Sequence, residues 1–295
     1  MMFDPEGLAA PTSIAAARRW GLAALRSAGI ANPGIDVRRL MAAALALPEA
    51  QLLARPEVQL PPDRAQIFAS YIERRCGREP VSRILGAREF YGRSFAVSAA
   101  TLDPRPDSET LIEATLEIIG LEHWSTRPLR VLDIGTGTGC LLLTLLSELP
   151  RATGVGTDVS GAALRVARAN AAALGLAERV AWQATDLLEN NTGKFHIVIS
   201  NPPYLRSAEI ATLEPEVSRF DPRLALDGGR DGLEIFRRLS TRLFTGVADG
   251  WIVLEVGHDQ ADEVAEMFAP GRRADVRFYR DVSGWRRCVA VRTRN

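Results

Sequence analysis

From Arg130 onward, short runs of β-branched and apolar residues alternate with longer stretches of helical periodicity, and this alternation limits the fold more than any other feature of the chain. The strand-like runs are RVLDI (130–134), TGVGTD (153–158), RVAWQA (179–184), HIVIS (196–200) and WIVLEV (251–256). Helical stretches through LLLTLLSEL, ALRVARANAAAL and LEIFRRLSTRLF lie between them. Strands joined by helical crossovers run parallel, with helices covering both faces of the sheet. Near the end, ADVRFY and RRCVAVR flank Asp281-Val282-Ser283-Gly284, which reads as the turn of an antiparallel pair. The expected fold class is therefore α/β: a Rossmann-like, mostly parallel sheet with an antiparallel C-terminal hairpin.

Residues 12–75 have a different texture, helical and without a β-rich run. Ser13 is placed to cap a first helix that Gly29 ends, and Asp36 to cap a second with Val37, Leu40, Met41, Ala44 and Leu45 on its inner face. Pro61-Pro62-Asp63 opens a third, running to about Cys76. Residues 83–98 place short β-prone pieces around Gly86 and Gly92, which suggests a hairpin, and a further helix starts at Asp107 or Ser108. The expected organisation is a helical bundle over 1–82, a β-hairpin linker over 83–104 and the α/β domain over 105–295.

Composition excludes more than it identifies. Thirty-six basic and thirty-six acidic residues cancel, so the charge gives no reason to expect a nucleic-acid or membrane partner. Cys76, Cys140 and Cys288 show no metal-ligand or redox spacing, as for inert thiols in a reducing compartment. His123, His196 and His258 show no metal spacing either. The start, MMFDPEGLAA, lacks the pattern of a secretory signal, and no run approaches the ~20 apolar residues of a membrane helix. A cytoplasmic, monomeric protein is expected.

VLDIGTGTGC (131–140) carries a buried strand into a glycine turn that opens a helix. Gly135, Gly137 and Gly139, with Thr136 and Thr138 between them, allow a ligand close to the backbone beside free N–H groups. A dinucleotide fingerprint would have glycine at the sixth position, where this chain has Cys140. Asp158 ends the second strand, where it can accept from ribose hydroxyls or cap the next helix. Asp186, with Leu187 beside it, follows the third strand, where an adenine-facing acid and a helix cap are equally good readings. Asp133 can orient the loop, approach a cofactor amino group, or be a satisfied buried carboxylate. With no lysine or arginine in the loop, these positions suit S-adenosyl-L-methionine, which has no phosphates.

In FHIVISNPPYLRS (195–207), Pro202 and Pro203 end the strand because they cannot donate to the ladder. Asn201 is left at its mouth. A planar amide or exocyclic nitrogen is a poor nucleophile because its lone pair is delocalised. The Asn201 side-chain oxygen and the Pro202 carbonyl can accept both its N–H groups, while Tyr204 stacks on the flat group. Candidate catalytic and substrate residues are thus Asn201, Pro202, Pro203 and Tyr204. Candidate cofactor residues are Gly135, Thr136, Gly137, Thr138, Gly139, Asp158, Asp186, Leu187 and Asn201.

On these motifs, with GAREFYGRSFAVSAATLDPRPDSETLIE (86–113), LEVGHDQ (254–260) and DVSGWRR (281–287), the chain resembles the HemK/PrmC family of protein-(glutamine-N5) methyltransferases. The resemblance implies a class I methyltransferase sheet and an N-terminal bundle that helps grip peptide chain release factors. It also implies methylation of the glutamine in their GGQ tripeptide. Ser108 stands where the family has threonine, Asp103 interrupts an apolar position, and Trp285-Arg286 differ from the common ending. A sister enzyme for a ribosomal protein shares NPPY, but a segment beginning PRS would be expected near 106–109. DNA adenine methyltransferases share the motif too, but no target-recognition insertion is evident. A non-catalytic nucleotide-binding module does not account for an intact NPPY. Arg88, Arg93 and Arg105 are read as release-factor contacts or as solvated surface.

Overall fold

The computed structural model describes residues 13–54, 56–187, 194–243, 247–270 and 275–293. The N-terminal dozen residues, Phe244 and Ala274, all included in the reading above, lie outside them. The chain divides into two compact units, Met1–Gly86 and Ala87–Asn295.

The first unit contains α1 (Ile14–Ser27), α2 (Pro33–Leu45), α3 (Glu49–Ala54), α4 (Pro62–Cys76) and α5 (Val81–Leu85). Ser13 caps α1, its hydroxyl accepting from Ala16 N at 3.3 Å. Leu25, Val37, Leu40, Met41, Phe68 and Ile72 form a fully buried core. Two local expectations change. Asp36 does not cap α2, which already begins at Pro33, where the fixed φ of proline suits a first turn. Asp36 instead pairs with the buried Arg75 at 2.7 Å. Residues 83–85 are not a strand either; they finish α5, and Gly86 ends that helix in the left-handed region.

The second unit begins with the antiparallel hairpin β1 (Ala87–Phe90) and β2 (Arg93–Ala96), followed by α6 (Glu109–Leu121). Then come β3 (Arg130–Ile134), α7 (Cys140–Glu148), β4 (Thr153–Asp158), α8 (Gly161–Ala173), β5 (Val180–Ala184), β6 (Phe195–Ser200) and the single turn α9 (Pro215–Ser218). The unit ends with α10 (Glu234–Leu243), β7 (Val247–Glu255), α11 (Ala261–Phe268), β8 (Val276–Arg280) and β9 (Arg286–Arg292). The sequence reading did not anticipate α3, α9 or α11.

The seven-stranded sheet runs β5-β4-β3-β6-β7-β9-β8, with pairs parallel as far as β7 and antiparallel for β7–β9 and β9–β8. The alternation predicts this mostly parallel sheet with its antiparallel end, and it agrees with the class I sheet that the resemblance implies. Its central strands are apolar on both faces because both are covered. Ile197, Ile199, Trp251 and Val253 join one core cluster with α6 and α7; Val198, Ile252 and Leu254 join the other with Phe236 and Phe268. Each such fully buried side chain contributes roughly 1.5–3 kcal/mol. Among the described residues, no helix is long and apolar enough to cross a membrane.

Candidate active site

Strand order reverses beside β3: β4 lies on one side and β6 on the other. A doubly wound sheet opens a crevice at such a point, beyond the carboxyl ends of its strands. A cleft of about 420 Å³ lies there. Residues 134–138 after β3, 158–160 after β4, 185–187 after β5, and Asn201 with Pro203 after β6 line it. Residues 100–105 and Ser108, Cys140 and Leu141 at the start of α7, and Pro222, Leu224, Ala225, Asp227, Ile235 and Arg238 complete the wall.

On one side the glycine turn presents backbone. Gly135, Gly137 and Gly139 all have φ between +56° and +80°, the region that favours glycine. Thr136 N donates to Thr157 O at 2.8 Å, tying the turn to β4. Asp158 accepts from Gly137 N at 2.9 Å through Oδ2 and from Ser160 N at 2.8 Å through Oδ1. Its carboxylate thus joins the turn to the start of α8 while it lines the cleft. Thr138 is buried; its hydroxyl accepts from Cys140 N, and its carbonyl accepts from Asn170 Nδ2. Asp133 lies beneath the turn, fully buried, and accepts from Thr136 Oγ1 at 2.5 Å. Burial pushes it up to about 7, against the opposing pull of the Thr136 hydroxyl.

Asp186 and Leu187 sit together on the wall, with Leu187 in the left-handed region at φ 57°. Asp186 Oδ2 accepts from Arg238 at 2.5 Å, and Arg105 is likewise engaged, by the buried Asp221 at 2.5 Å. Both arginines on the wall are therefore paired, and none lies in the turn itself. Arg93 pairs with Glu148, and Arg88 on β1 is half-buried. Desolvation pushes the Cys140 thiol up to about 12, so it stays protonated at neutral pH. His196 accepts from Arg130 N, and His258 makes an edge contact with Trp285. Among the described residues, no cluster of three metal-ligating side chains occurs.

On the other side the backbone turns at two prolines. Ser200 Oγ donates to Ile134 O at 2.7 Å, which locks the mouth of β6 to that of β3. Asn201 and Pro203 line the cleft, and Pro202 is buried behind them. Asn201 Nδ2 donates to Ser108 Oγ at 3.1 Å, leaving Oδ1 as the end of the amide without a partner among the described residues. Tyr204 is half-buried, packs on the core and donates its hydroxyl to Glu255 Oε1 at 3.2 Å. Gln260 Nε2 holds the Tyr204 carbonyl at 3.0 Å. Gly232 fits beneath this turn because a Cβ there would lie 2.4 Å from Tyr204 O.

The sequence reading missed the groups that support this second turn. Glu255 is 1% exposed at the end of β7, and burial raises its carboxyl to about 7. A lone acid closing the apolar run WIVLE was the available signal. Gln260 and the glycines of DGGRDG (227–232) were legible only as loop residues.

The sequence relatives agree with this architecture. Residues 16–86 match the family model of the PrmC N-terminal domain, and residues 116–215 match that of the methyltransferase small domain. The release factor glutamine methyltransferase of Rhodospirillum rubrum is 46% identical over 272 residues, 92% of this chain and 82% of that protein. The enzyme of the same name from Bradyrhizobium diazoefficiens is 44% identical over 282 residues, 95% of both chains. The catalytic domain of hMettl16 shares the fold at 17% identity, with a TM-score of 0.54 over 72% of this chain and 81% of that one. From these identities along almost its whole length, the chain belongs to the family of release factor glutamine methyltransferases.

Proposed function

We propose that this protein methylates the side-chain nitrogen of the GGQ glutamine in peptide chain release factors, with S-adenosyl-L-methionine as donor. The observation that carries the reading is the Asn201 amide at the cleft wall, its nitrogen turned to Ser108 and its oxygen left to accept. That is the polarity required to receive an N–H of a substrate amide.

The residues of the first turn fit the donor. Gly135 and Gly137 leave open space where a side chain would stand, Asp158 offers acceptors at the end of β4, and Leu187 and Ile235 supply apolar wall. With both wall arginines already paired, nothing there asks for a phosphate. When bound, S-adenosylmethionine supplies an electrophilic methyl group on its sulfonium. Gly135, Thr136, Gly137, Thr138 and Gly139 would hold it together with Asp158, Asp186 and Leu187, and Asn201 would border it.

Asn201 Oδ1 and the Pro202 carbonyl accept the two N–H groups of the glutamine amide. This would localise its lone pair on nitrogen and turn it toward the donor side of the cleft. The amide would give up its proton, to solvent, only after gaining the methyl group, so no strong base is needed beforehand. Pro203 fixes the bend, and Tyr204 supports the turn and offers its ring to the flat group. The bundle over 1–82 helps grip the factor, the segment 83–104 links it to the catalytic domain at 105–295, and the protein works as a monomer in the cytoplasm.

The test is incubation with methyl-labelled donor and either a release factor or the same factor carrying alanine at the GGQ glutamine. Label should enter only the first. Equal labelling of both would remove the substrate assignment.

A further inference from the structure

The Asn201–Tyr204 turn is held at both ends by buried side chains. At one end Ser108 Oγ accepts from Asn201 Nδ2. At the other stands Gln260, buried, one residue before α11. Its Nε2 donates to Tyr204 O at 3.0 Å and to Gly232 O at 3.3 Å, and its Oε1 accepts from Gly257 N at 2.9 Å. Three loops at the carboxyl edge of the sheet meet at this one side chain: the turn after β6, the glycine loop before α10 and the turn after β7. The helix that follows does not need it. Gln260 makes no side-chain cap on α11, whose Val264 N donates instead to the Gln260 carbonyl at 3.0 Å.

The neighbours fix the polarity of this amide. A carbonyl only accepts and a backbone N–H only donates, so its nitrogen faces Tyr204 and Gly232 and its oxygen faces Gly257. The fit is close: a Cβ on Gly257 would lie 2.8 Å from Gln260 Oε1, and one on Gly228 would lie 2.8 Å from both Pro203 O and the Tyr204 Cα. Gly228 N also takes the next carbonyl, that of Leu205, at 2.8 Å. The carbonyls of Tyr204 and Leu205 are therefore engaged, whereas those of Pro202 and Pro203 have no hydrogen-bond partner among the described residues. We propose that Gln260 is a positioning residue: it pins the Tyr204 carbonyl to the glycine loop and so keeps Asn201 Oδ1 and the Pro202 carbonyl together as the pair of acceptors that meets the substrate amide. The proposal rests on the reading of Asn201 and Pro202 given above.

The ionisable groups of these three loops are turned to other partners. His258 meets the Trp285 ring, Asp259 pairs with Arg206, Asp231 pairs with Arg237, and the Tyr204 phenol donates to Glu255. The clamp in the natural protein is thus a neutral amide among backbone groups. A carboxyl in its place behaves differently. Ionised, it turns a lone pair on two carbonyl oxygens; protonated, it gives one hydrogen back to one of them.

The experiment compares wild type with Gln260→Met and Gln260→Glu, using a release factor and saturating donor. Gln260→Met keeps the length of the side chain and drops both donors. Its kcat should fall about 10- to 100-fold, with donor affinity and KM for the factor held within about threefold. For Gln260→Glu, kcat relative to wild type at the same pH should rise as pH falls from about 8 to about 6, because burial against two carbonyls lifts the new carboxyl. The same ratio for Gln260→Met should stay flat. In parallel, NMR of the free protein follows the Asn201 side-chain amide protons, whose resonances should move in both variants. A residue that only stabilises the loops would lower Tm and leave kcat and these resonances in place. A kcat within about twofold of wild type in Gln260→Met, or Asn201 resonances unmoved by it, would overturn the proposal; where Gln260→Glu does not fold, Gln260→Met decides alone. If wild type methylates no release factor, the functional reading falls, while the Asn201 resonances still decide the role of Gln260.

Discussion

The two turns that face each other across the cleft occupy equivalent places, at the carboxyl ends of the neighbouring parallel strands β3 and β6. Their backbones are opposites. The first uses glycines at positive φ and exposes N–H groups, so it offers donors and open space. The second uses two prolines, which have no N–H, and leaves acceptors. Each has a buried carboxyl behind it, Asp133 under the first and Glu255 under the second, both pushed up to about 7 by burial. On the proposed reading, the difference lets one sheet edge hold a cationic methyl donor and a neutral amide, and the contrast lies in the backbone.

The sharpest way to break this contrast is Asn201→Ala, which removes the side-chain acceptor of the second turn and leaves the Pro202 carbonyl and the first turn in place. Turnover should fall about 10²- to 10³-fold, as for loss of one oriented transition-state hydrogen bond, while calorimetric donor affinity stays within a few-fold. An active variant would show that the second turn does not clamp an amide.

Next in size is the response to pH of the two buried acids. Both carboxyls have raised values, so the folded state holds protons that the unfolded state releases. Their contribution to stability is complete below about 4 and lost as pH rises through about 7, with a slope of at most about 1.4 kcal/mol per pH unit for each group. Denaturant midpoints of the free protein should therefore fall between pH 5 and pH 8, and less steeply in Asp133→Asn. A flat profile would mean that these acids are paired more fully than their burial implies.

Gly137→Ala tests the donor side. A Cβ there meets nothing within 4 Å, so the change adds backbone strain without a clash. At a cost of about 1–2 kcal/mol for a left-handed residue, donor affinity should weaken roughly 10-fold, with kcat at saturation little changed. Unaltered affinity would separate the turn from the donor.

Tyr204→Phe should have the smallest effect. It removes one hydrogen bond to Glu255 and keeps the ring, so a loss of about 1 kcal/mol in stability and a few-fold loss in kcat are expected. A larger loss in kcat at unchanged stability would move the hydroxyl from support into the reaction.

The sequence by itself determined the sheet, its antiparallel end, the two turns and Asp158, because each is written within a few consecutive residues. Periodicity gives a strand or helix, glycine or proline forces a turn, and strand ends converge on one edge in any doubly wound sheet. The start of α2 was displaced because Pro33 is itself a helix initiator, and the short α5 was read as strand because five residues carry too little periodicity to declare a helix. Only the tertiary structure decided what stands behind the turns. Ser108 meets Asn201 across 93 residues of sequence and Glu255 meets Tyr204 across 51. No local pattern connects them; chain topology and burial bring a hydroxyl to an amide and a phenol to a carboxyl. The physical reason is that hydrogen bonding inside a core depends on which elements pack together, a property of the whole fold and not of any window along it.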